Sequence, residues 1–442
     1  MNITRKLSAF IFGLVLISVA ADVQAQIPQK AEYGKYAITG ADIYTVTNGV
    51  IEGGVILING NEIEHVGQNV RIDDSYERIN ASGKRIYPGM IDSGTRLGLR
   101  EISQVPVTID DAELGDFNPQ VEAAAAINPS SVPIPVTRVN GVTTVISHPT
   151  SGVVSGKSTL IDLYGYNVDS MAVRKNAALQ VEWPSSTPGG WWDDRSEEEV
   201  REEYLEELDE LNDFWEEAKA YHRMWTSWEE NEPDGDQPDK NYTLESMREV
   251  VSGELPVMIS VDHADDILEA LEWIEDRGEE KPFILSSVAE GWRVADEIAE
   301  ADIPVLVGPA LRTASRGYDN YQRPYQNAGK LHDAGVEIAV RTGETENVRN
   351  LPYNAGYFAT YGLGKEEALE AVTINPARIF GVDDQIGSLE EGKRANLFIA
   401  DGDPFETLTQ IEQVFIDGFK IPMTNKQIKL YQEYKERDVR AD

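Results

Sequence analysis

The chain has no cysteine and only five histidines among its 442 residues. The absence of cysteine excludes disulfide bonds, a lipoprotein-type leader and any thiol nucleophile. Basic residues are also scarce, because 39 Lys and Arg stand against 77 Asp and Glu and give a formal charge of −38. The electric field of such a negative charge repels nucleic acid and anionic membrane surfaces, so neither is expected as a partner. The excess of acid is typical of a highly solvated surface.

Only one long apolar run exists, and it lies near the N-terminus at residues 7–20. Two basic residues precede this run, and Val23-Gln24-Ala25 places a small residue before a cleavage point. The pattern is typical of a secretory signal peptide and is too short for a membrane anchor. We therefore expect residues 1–25 to be removed, a mature chain that begins near Gln26, no membrane span, and a periplasmic or secreted location.

Both ends of the remaining chain are rich in short strands and tight turns. Residues 36–87 alternate apolar strands with turns such as Asn59-Gly60, a dipeptide that favours a hairpin. A comparable strand-rich pattern reappears at residues 386–399. We expect residues 26–87 and 381–425 to form one small composite β-sandwich domain, with the middle of the chain inserted between them.

The middle of the chain, residues 88–380, alternates β-branched apolar strands with amphipathic helical segments; the strands include 141–146, 256–261 and 303–307. That alternation favours a parallel sheet, and the length of the segment suits a (β/α)8 TIM-type barrel. The predicted fold class is therefore α/β, and active-site residues are expected at the carboxyl ends of the strands. A helical tail is expected at residues 426–442.

One segment, at about 191–241, does not fit the barrel alternation. Ser196 and Glu199 form a capping box, and the apolar residues that follow recur at helical spacing as far as Trp215. Tryptophan is also concentrated in this segment. Two interpretations are open for the acidic, tryptophan-rich helical insertion: its aromatic stripe packs on the barrel, or it forms a lid or a partner surface.

Several motifs occur in an order that is specific as a set. A short apolar strand ends in Pro88-Gly89-Met90-Ile91-Asp92, and Gly141-Val142-Thr143-Thr144-Val145 and His263-Ala264-Asp265-Asp266-Ile267 follow it. Thr373-Ile374-Asn375-Pro376-Ala377-Arg378 and a segment at 387–397 complete the set. Together they resemble the imidazolonepropionase-related branch of the amidohydrolase superfamily over nearly all of the mature chain.

The resemblance implies one or two divalent metals such as zinc, held by histidines of strands 1, 5 and 6 and by an aspartate of strand 8. The family pattern Asp-x-His-x-His places Gly94 and Arg96 at its two histidine positions. The ligand positions on the later strands hold Ser260, Asp262, Ser287 and Gly343. Glycine and serine offer no imidazole, and arginine keeps its proton and has no acceptor. We therefore expect no catalytic metal and no other cofactor, although the bridging residue of strand 4 is not placed.

Two arginines stand at strand ends where the family keeps a ligand or a small residue, namely Arg96 and Arg341. One interpretation is that an arginine fills the emptied metal pocket and pairs with Asp262 or Glu290, so that one cation replaces another. The other is that Arg96 and Arg341, joined by Arg312, bind a carboxylate or phosphate through their guanidinium forks.

Few other residues suit catalysis. His148 follows the strand at 142–146 and His263 lies just after strand 5, so both are candidates to touch a ligand. For metal-free chemistry the candidates are Asp262 as a base, His263 beside it, and Glu344 as an acid. The remaining histidines are expected in structural or surface positions, and they are His65, His222 and His332.

We favour an exported protein of amidohydrolase fold that has lost its metal ligands and acts as a non-catalytic pseudoenzyme. Such a protein would bind a small anionic ligand, or would assemble as a homo-oligomer or as a hetero-oligomer with an intact paralogue. The competing hypothesis is an active hydrolase of carbon–nitrogen bonds in cyclic amides or peptide-like substrates, with an unusual site.

Overall fold

The computed structural model of the protein describes residues 30–189, 193–231, 237–278, 282–435 and 437. The expected signal peptide therefore lies outside the described residues, as do Trp191, Trp192 and most of the tail beyond 435. Within the described ranges, no helix has both the length and the apolar character that a membrane crossing requires.

Nineteen strands are found in the described part of the chain. They are β1 Glu32–Tyr33, β2 Lys35–Tyr44, β3 Val50–Asn59, β4 Glu62–Gly67, β5 Glu77–Asn80, β6 Arg85–Pro88, β7 Met90–Thr95, β8 Val142–Ser147, β9 Val154–Lys157, β10 Thr159–Asp162, β11 Ala172–Arg174, β12 Leu179–Glu182, β13 Val257–Val261, β14 Phe283–Ser287, β15 Val305–Val307, β16 Ile338–Val340, β17 Leu397–Ala400, β18 Ile411–Ile416 and β19 Phe419–Ile421.

The helices lie mostly between the strands of the middle segment. They are α1 Ala123–Ala126, α2 Pro133–Arg138, α3 Val168–Met171, α4 Glu197–Asn231, α5 Tyr242–Glu245, α6 Arg248–Val251, α7 Ala264–Glu275, α8 Ala295–Glu300, α9 Arg323–Asp333, α10 Leu351–Phe358, α11 Lys365–Glu370, α12 Ile374–Ile379 and α13 Lys426–Lys435. Short 3-10 turns occur at Pro106–Thr108, Gly291–Arg293 and Val348–Asn350, and a wider turn, Ala359–Leu363, links α10 to α11.

Strands from both ends of the chain share one sheet. Its nine strands run in the order β1-β19-β18-β17-β6-β2-β3-β4, with β5 also paired to β2. The strand β2 changes partner along its length, because Tyr36 to Thr39 pair with β5 whereas Asp42 and Ile43 pair with β6. The change occurs at Gly40, whose φ of 82° bends the strand. The expected two-sheet sandwich is therefore one continuous sheet that bends at this point.

The middle of the chain forms two further sheets. Parallel pairing joins β7 to β8 and, separately, β12 through β13, β14 and β15 to β16. Between these groups, β10 runs antiparallel to β8 and β9 runs antiparallel to β12. The strand pairing therefore does not give the expected ring of eight parallel strands, because β8 and β12 each pair with an antiparallel strand and belong to different sheets.

Backbone bonds nevertheless connect the outer strands of these two sheets. The N–H of Gly343, just after β16, donates to the carbonyl of Gly94 in β7 at 3.0 Å. The N–H of Arg96 donates to the carbonyl of Glu344 at 3.1 Å. The carboxyl ends of β7 and β16 therefore lie side by side, and parallel strands bring their carboxyl ends to one edge.

The long helix α4 packs its aromatic side chains inward. A capping box starts it, because the N–H of Glu199 donates to Ser196 Oγ at 3.2 Å and the N–H of Ser196 donates to Glu199 Oε2 at 2.7 Å. Tyr204 and Trp215 are fully buried, and the ring of Trp215 lies 5.2 Å from that of Trp273 in α7. Of the two interpretations, inward packing of the aromatic stripe describes the buried side of this helix, which contacts α7 of the middle segment.

Removal of the Trp215 side chain is expected to destabilise the fold strongly. Truncation of a buried tryptophan leaves a cavity, and Trp215→Ala should lower the free energy of unfolding by about 3–5 kcal/mol in urea titrations. Met224→Ala on the same helix is the matched control, because that side chain is 44% exposed. Equal effects of the two substitutions would contradict the inward packing of α4.

Candidate functional site

The first strand of the middle segment, β7, carries a fully buried carboxylate, Asp92. Its Oδ1 accepts the N–H groups of Gly94 and Thr342, each at 3.1 Å, and its Oδ2 accepts the hydroxyl of Thr342 at 2.5 Å. Burial raises the pKa of Asp92 to about 7, although these hydrogen bonds oppose the rise. Asp92 thus fixes the end of β7 against the chain that leaves β16.

Arg341 directly follows β16, and its side chain lies across Gly94. A Cβ atom built on Gly94 would stand 2.8 Å from Nε and 3.0 Å from Cζ of Arg341. The guanidinium therefore fills the volume that any larger residue at position 94 would need. The resemblance places a metal-binding histidine at this position of β7.

The buried guanidinium of Arg341 is held from two sides. Nη1 donates to the hydroxyl of Ser286 at the end of β14, and Nη2 lies 3.3 Å from Nε2 of His148. The Nε group is buried and has no hydrogen-bond partner among the described residues. Burial lowers the pKa of Arg341, while the carboxylates of Glu182 and Asp92 act against that shift.

His148, just after β8, is neutral, and both of its ring nitrogens have hydrogen-bond partners. Burial first, and the charge of Arg341 second, lower its pKa to about 3. Its Nδ1 lies 3.1 Å from the carbonyl of Pro149, so Nδ1 carries the proton and Nε2 accepts from Arg341. The lone pair that a metal would use is therefore occupied.

Glu182, at the end of β12, is a further residue of the site, and it is not among the residues predicted from the sequence. Gln180 Nε2 donates to Glu182 Oε1 and to Ser260 Oγ, each at 2.9 Å. Burial raises the pKa of Glu182 to about 7, and the nearby charge of Arg341 acts against the rise. Two polar residues spaced two apart in the otherwise apolar strand Leu179–Glu182 were the available signal, since they face the same side. Glu182 ends the strand that pairs in parallel with β13, opposite Ser260.

The two acidic residues expected to pair with an arginine in the emptied pocket, Asp262 and Glu290, form ion pairs with Arg312 and Arg316. Asp262 pairs with Arg312, with Nη1 and Oδ1 3.5 Å apart, and Oδ1 also accepts the N–H of Ala289 at 3.1 Å. Burial would raise the pKa of Asp262, but Arg312 and these hydrogen bonds hold it below its usual value. The interpretation that an arginine in the emptied pocket, Arg96 or Arg341, pairs with Asp262 is therefore not what the described residues show, because the ion pair of Asp262 is with Arg312.

Glu290 also turns away from Arg341. It accepts two bonds from Arg316, at 2.6 and 2.7 Å, and one from the N–H of Ala264 at 3.1 Å. His263, which precedes α7, has its Nδ1 3.9 Å from Glu290 Oε2. The chain after β14 passes through positive φ at Ser287 and Val288, and this turn carries Glu290 towards α7.

A cavity of about 630 Å³ opens at this edge of the strands. Among its lining residues are the predicted site residues Arg96, His148, Asp262, His263 and Arg341, together with Glu182. Arg312 and Glu344 are not among the lining residues. One nitrogen of Arg96 donates to the carbonyl of Gly343 at 3.2 Å, which places the two arginines on adjoining strand ends.

The donor set of this cavity does not fit a divalent metal. A catalytic zinc site needs about three protein ligands and an open position. In the described part of the chain, no group of three or more His, Asp and Glu side chains is arranged to hold a metal ion. The guanidinium of Arg341 occupies the space beside Gly94, and it carries the positive charge that a metal would bring.

The buried carboxyl of Asp92 should make stability depend on pH. Its pKa is raised to about 7, so the folded state holds a proton that the unfolded chain releases near pH 4. This contribution is complete below pH 4 and is lost as the pH rises towards 7, with a slope of up to about 1.4 kcal/mol per pH unit. Asp92→Asn should flatten the slope in urea titrations between pH 4 and 7, whereas Asp74→Asn, a control at an exposed position, should leave it unchanged. An unaltered slope in Asp92→Asn would contradict a protonated Asp92.

Comparison of the sequence with known proteins identifies the family of this chain. The sequence model of the amidohydrolase family matches residues 86–421. An imidazolonepropionase of Shouchella clausii is 24% identical over 81% of this chain and 82% of its own length. One of Thermoplasma volcanium is 33% identical over 119 residues, which are 24% of this chain and 28% of that protein. The match to this protein, and to other imidazolonepropionases that match over a similarly short segment, covers less than a third of their length.

A solved structure extends the likeness over most of the fold. The amidohydrolase of Thermotoga maritima is 25% identical, with a TM-score of 0.77 over 88% of this chain and 99% of that one. This likeness implies a TIM barrel with an additional domain. Because the family match covers more than half of the sequence, the chain belongs to the amidohydrolase family, in the imidazolonepropionase-related branch of its superfamily.

Proposed function

We propose that this protein is a metal-free member of the family that binds a small ligand in the cavity and does not hydrolyse it through a metal-activated water. The observation that carries the proposal is the position of Arg341, whose guanidinium lies where the side chain of residue 94 would stand. A metal at this place would have to displace a buried group that is bonded to Ser286 and His148.

Charge supports the same proposal. The carboxylates of Glu182, Asp92 and Asp262 all act on Arg341, so the charge that would attract a metal is already opposed by an internal cation. A guanidinium has no open coordination position and cannot lower the pKa of a bound water as a metal does. The group therefore replaces the charge of the metal without replacing its chemistry.

The competing hydrolase hypothesis finds less support in the geometry. A general base works best when its pKa lies near the working pH, whereas the pKa of Asp262 is held below its usual value by Arg312 and by hydrogen bonds, against the effect of burial. Glu344, the candidate acid, is not among the residues that line the cavity with Asp262.

The cavity itself favours binding. Its volume of about 630 Å³ lies within the range that small-molecule sites occupy, roughly 300–1,000 Å³. Arg341 fills one position at the edge of this space and leaves the rest open. Two expectations stay predictions. One is export through the signal peptide, and the other is pairing with a second copy or with an intact paralogue. The buried aromatic stripe of α4 lends no support to a partner surface there.

Metal analysis tests the proposal directly. Protein purified without chelator is expected to contain less than about 0.1 equivalent of zinc, iron or manganese per chain, because the donor set lacks the three ligands that a site needs. Addition of a chelator should leave the melting temperature unchanged. Close to one equivalent of any of these metals would overturn the proposal.

A double-mutant cycle tests the packing of Arg341 on Gly94. Gly94→Ala should cost about 1–3 kcal/mol of stability, because its Cβ would crowd the guanidinium. In an Arg341→Ala background the same substitution should cost little, which gives a coupling of at least about 1 kcal/mol in urea titrations. Gly317→Ala is the control, since a Cβ there meets nothing within 4 Å. Additive effects of Gly94→Ala and Arg341→Ala would show that the two residues do not share the same space.

A further inference from the structure

The last helix of the described chain, α13, exposes an apolar stripe. None of its ten residues is buried, and Leu430, Tyr431 and Tyr434 are 39%, 66% and 57% exposed. With about 3.6 residues per turn, these three side chains fall within about 100° of the helix circumference and form one stripe. A helix of this length is marginal alone in water, and a stripe of leucine and tyrosine suits contact with an apolar groove.

The same helix is basic, although the chain as a whole is strongly acidic. It carries three lysines and one glutamate, whereas the whole chain has a formal charge of −38. Lys426 and Lys429 lie on one side of the apolar stripe, and Lys435 lies on the other, 5.9 Å from the ring centre of Tyr431. A surface that receives this helix should therefore be apolar in the middle and acidic at its edges.

A groove of about 1310 Å³ lies at the amino ends of β14 and β15. The cavity described above lies at the opposite, carboxyl ends of the strands. Helices α7 and α8 contribute to the walls of the groove. Apolar side chains line its interior, among them Phe283, Ile303 and Leu271, and Leu268 beside them is 40% exposed. The groove thus offers an apolar surface to a side chain from outside.

Five carboxylates also line this groove, and we call it the acidic groove; they are Glu272, Glu275, Glu297, Glu300 and Asp302. All five residues are exposed, and within the described ranges none of their side chains forms an ion pair or a hydrogen bond. No described residue that lines the groove is basic. The repulsion among these like charges is therefore not relieved by the protein itself, and a basic partner would relieve it.

The two complementary surfaces do not meet within one chain. The stripe of α13 is exposed and the acidic groove is open in the same molecule. Every copy of the protein carries both surfaces, so two copies can each supply what the other needs. A membrane surface is less suitable for α13, because the negative charge of the rest of the chain repels anionic lipid.

We propose that α13 of one copy docks in the acidic groove of a second copy, and that the exchange is reciprocal and forms a closed dimer. Leu430, Tyr431 and Tyr434 then lie on the apolar interior, and the lysines approach the glutamates of α7 and α8. This contact does not involve the cavity at the carboxyl ends of the strands. It goes beyond the proposed function and does not depend on it.

Sedimentation equilibrium of the chain from Gln26 onward tests the dimer. The protein is expected to have twice the mass of one chain at low ionic strength. The dissociation constant should rise at least about tenfold between about 0.05 and 0.5 M NaCl, because salt screens exposed charges. A single-chain mass at concentrations up to about 0.1 mM would overturn the dimer. Masses that continue to grow beyond two chains would overturn the reciprocal exchange.

Two charge-reversed variants identify the contacting surfaces. Lys426→Glu/Lys429→Glu reverses the charge of the helix, and Glu297→Lys/Glu300→Lys reverses that of the groove. In each variant alone the helix and the groove carry like charges, so the dissociation constant should rise at least about tenfold. An equal mixture of the two variants should dimerise again, because each helix then meets a groove of opposite charge. Failure of the mixture to associate would contradict the docking of α13 in the groove.

Three further variants are the controls for charge and for the apolar stripe. Lys330→Glu and Glu366→Lys change charge at exposed positions that do not line the groove, and they should leave the dimer unchanged. Leu430→Ala/Tyr434→Ala keeps the charge of α13 and should weaken the dimer at least about tenfold. Equal weakening by the two control charge changes would show that net charge, rather than this contact, governs association.

A vesicle experiment tests the alternative partner of α13. The protein is expected not to sediment with vesicles of phosphatidylserine and phosphatidylcholine. Sedimentation with these vesicles that is lost in Lys426→Glu/Lys429→Glu, together with a single-chain mass in solution, would assign the helix to a membrane surface and overturn the dimer.

Discussion

The buried guanidinium of Arg341 is the group on which the rest of the site depends. A charge in the interior is tolerated only where hydrogen-bond partners and opposite charges surround it. Ser286 and His148 accept its N–H groups, and Glu182 and Asp92, whose pKa values are raised to about 7, oppose its charge in their ionised forms. Ser286, His148 and Glu182 lie at or just after the ends of three strands, and Asp92 lies within β7. One side chain therefore links β7, β8, β12, β14 and β16.

That linkage explains why the departures from the family's metal-binding pattern belong together. Gly94 leaves the volume that the guanidinium fills, and the lone pair of His148 is used to accept from Arg341. A histidine restored at position 94 would enter occupied space. Removal of Arg341 alone would leave Glu182 and Asp92 buried without their cation, which is costly. The replacements thus form one interdependent set, in which each residue is explained by the same cation.

The sequence sufficed for features that follow from strand order and from the periodicity of side chains. It placed Arg96, Arg341 and His148 at strand ends, and these three residues do meet in one cavity. It did not reveal Glu182, because a single acidic residue in a short strand gives a weak signal. Backbone turns decided the remaining differences. The bend at Gly40 joins the terminal strands into one sheet, and positive φ at Ser287 and Val288 directs Glu290 towards Arg316.

The ion pairs around the cavity indicate whether the protein only binds a ligand or also hydrolyses it. Asp262 is tied to Arg312 and Glu290 to Arg316, so charged groups at the strand ends are held in place by the protein's own side chains. A site whose charges are fixed in advance loses little entropy when a ligand enters, which favours recognition. Hydrolysis requires a group whose protonation can change near neutral pH and which reaches the substrate, or a metal that activates water. Glu182 meets the first condition, because its pKa is raised to about 7 and it lines the cavity, but its carboxyl is bonded to Gln180 and lies beside the cation of Arg341. Arg341 occupies the place that the resemblance gives to a metal-binding histidine. The fold therefore retains a preorganised, charged cavity while its central cation provides no means of activating water.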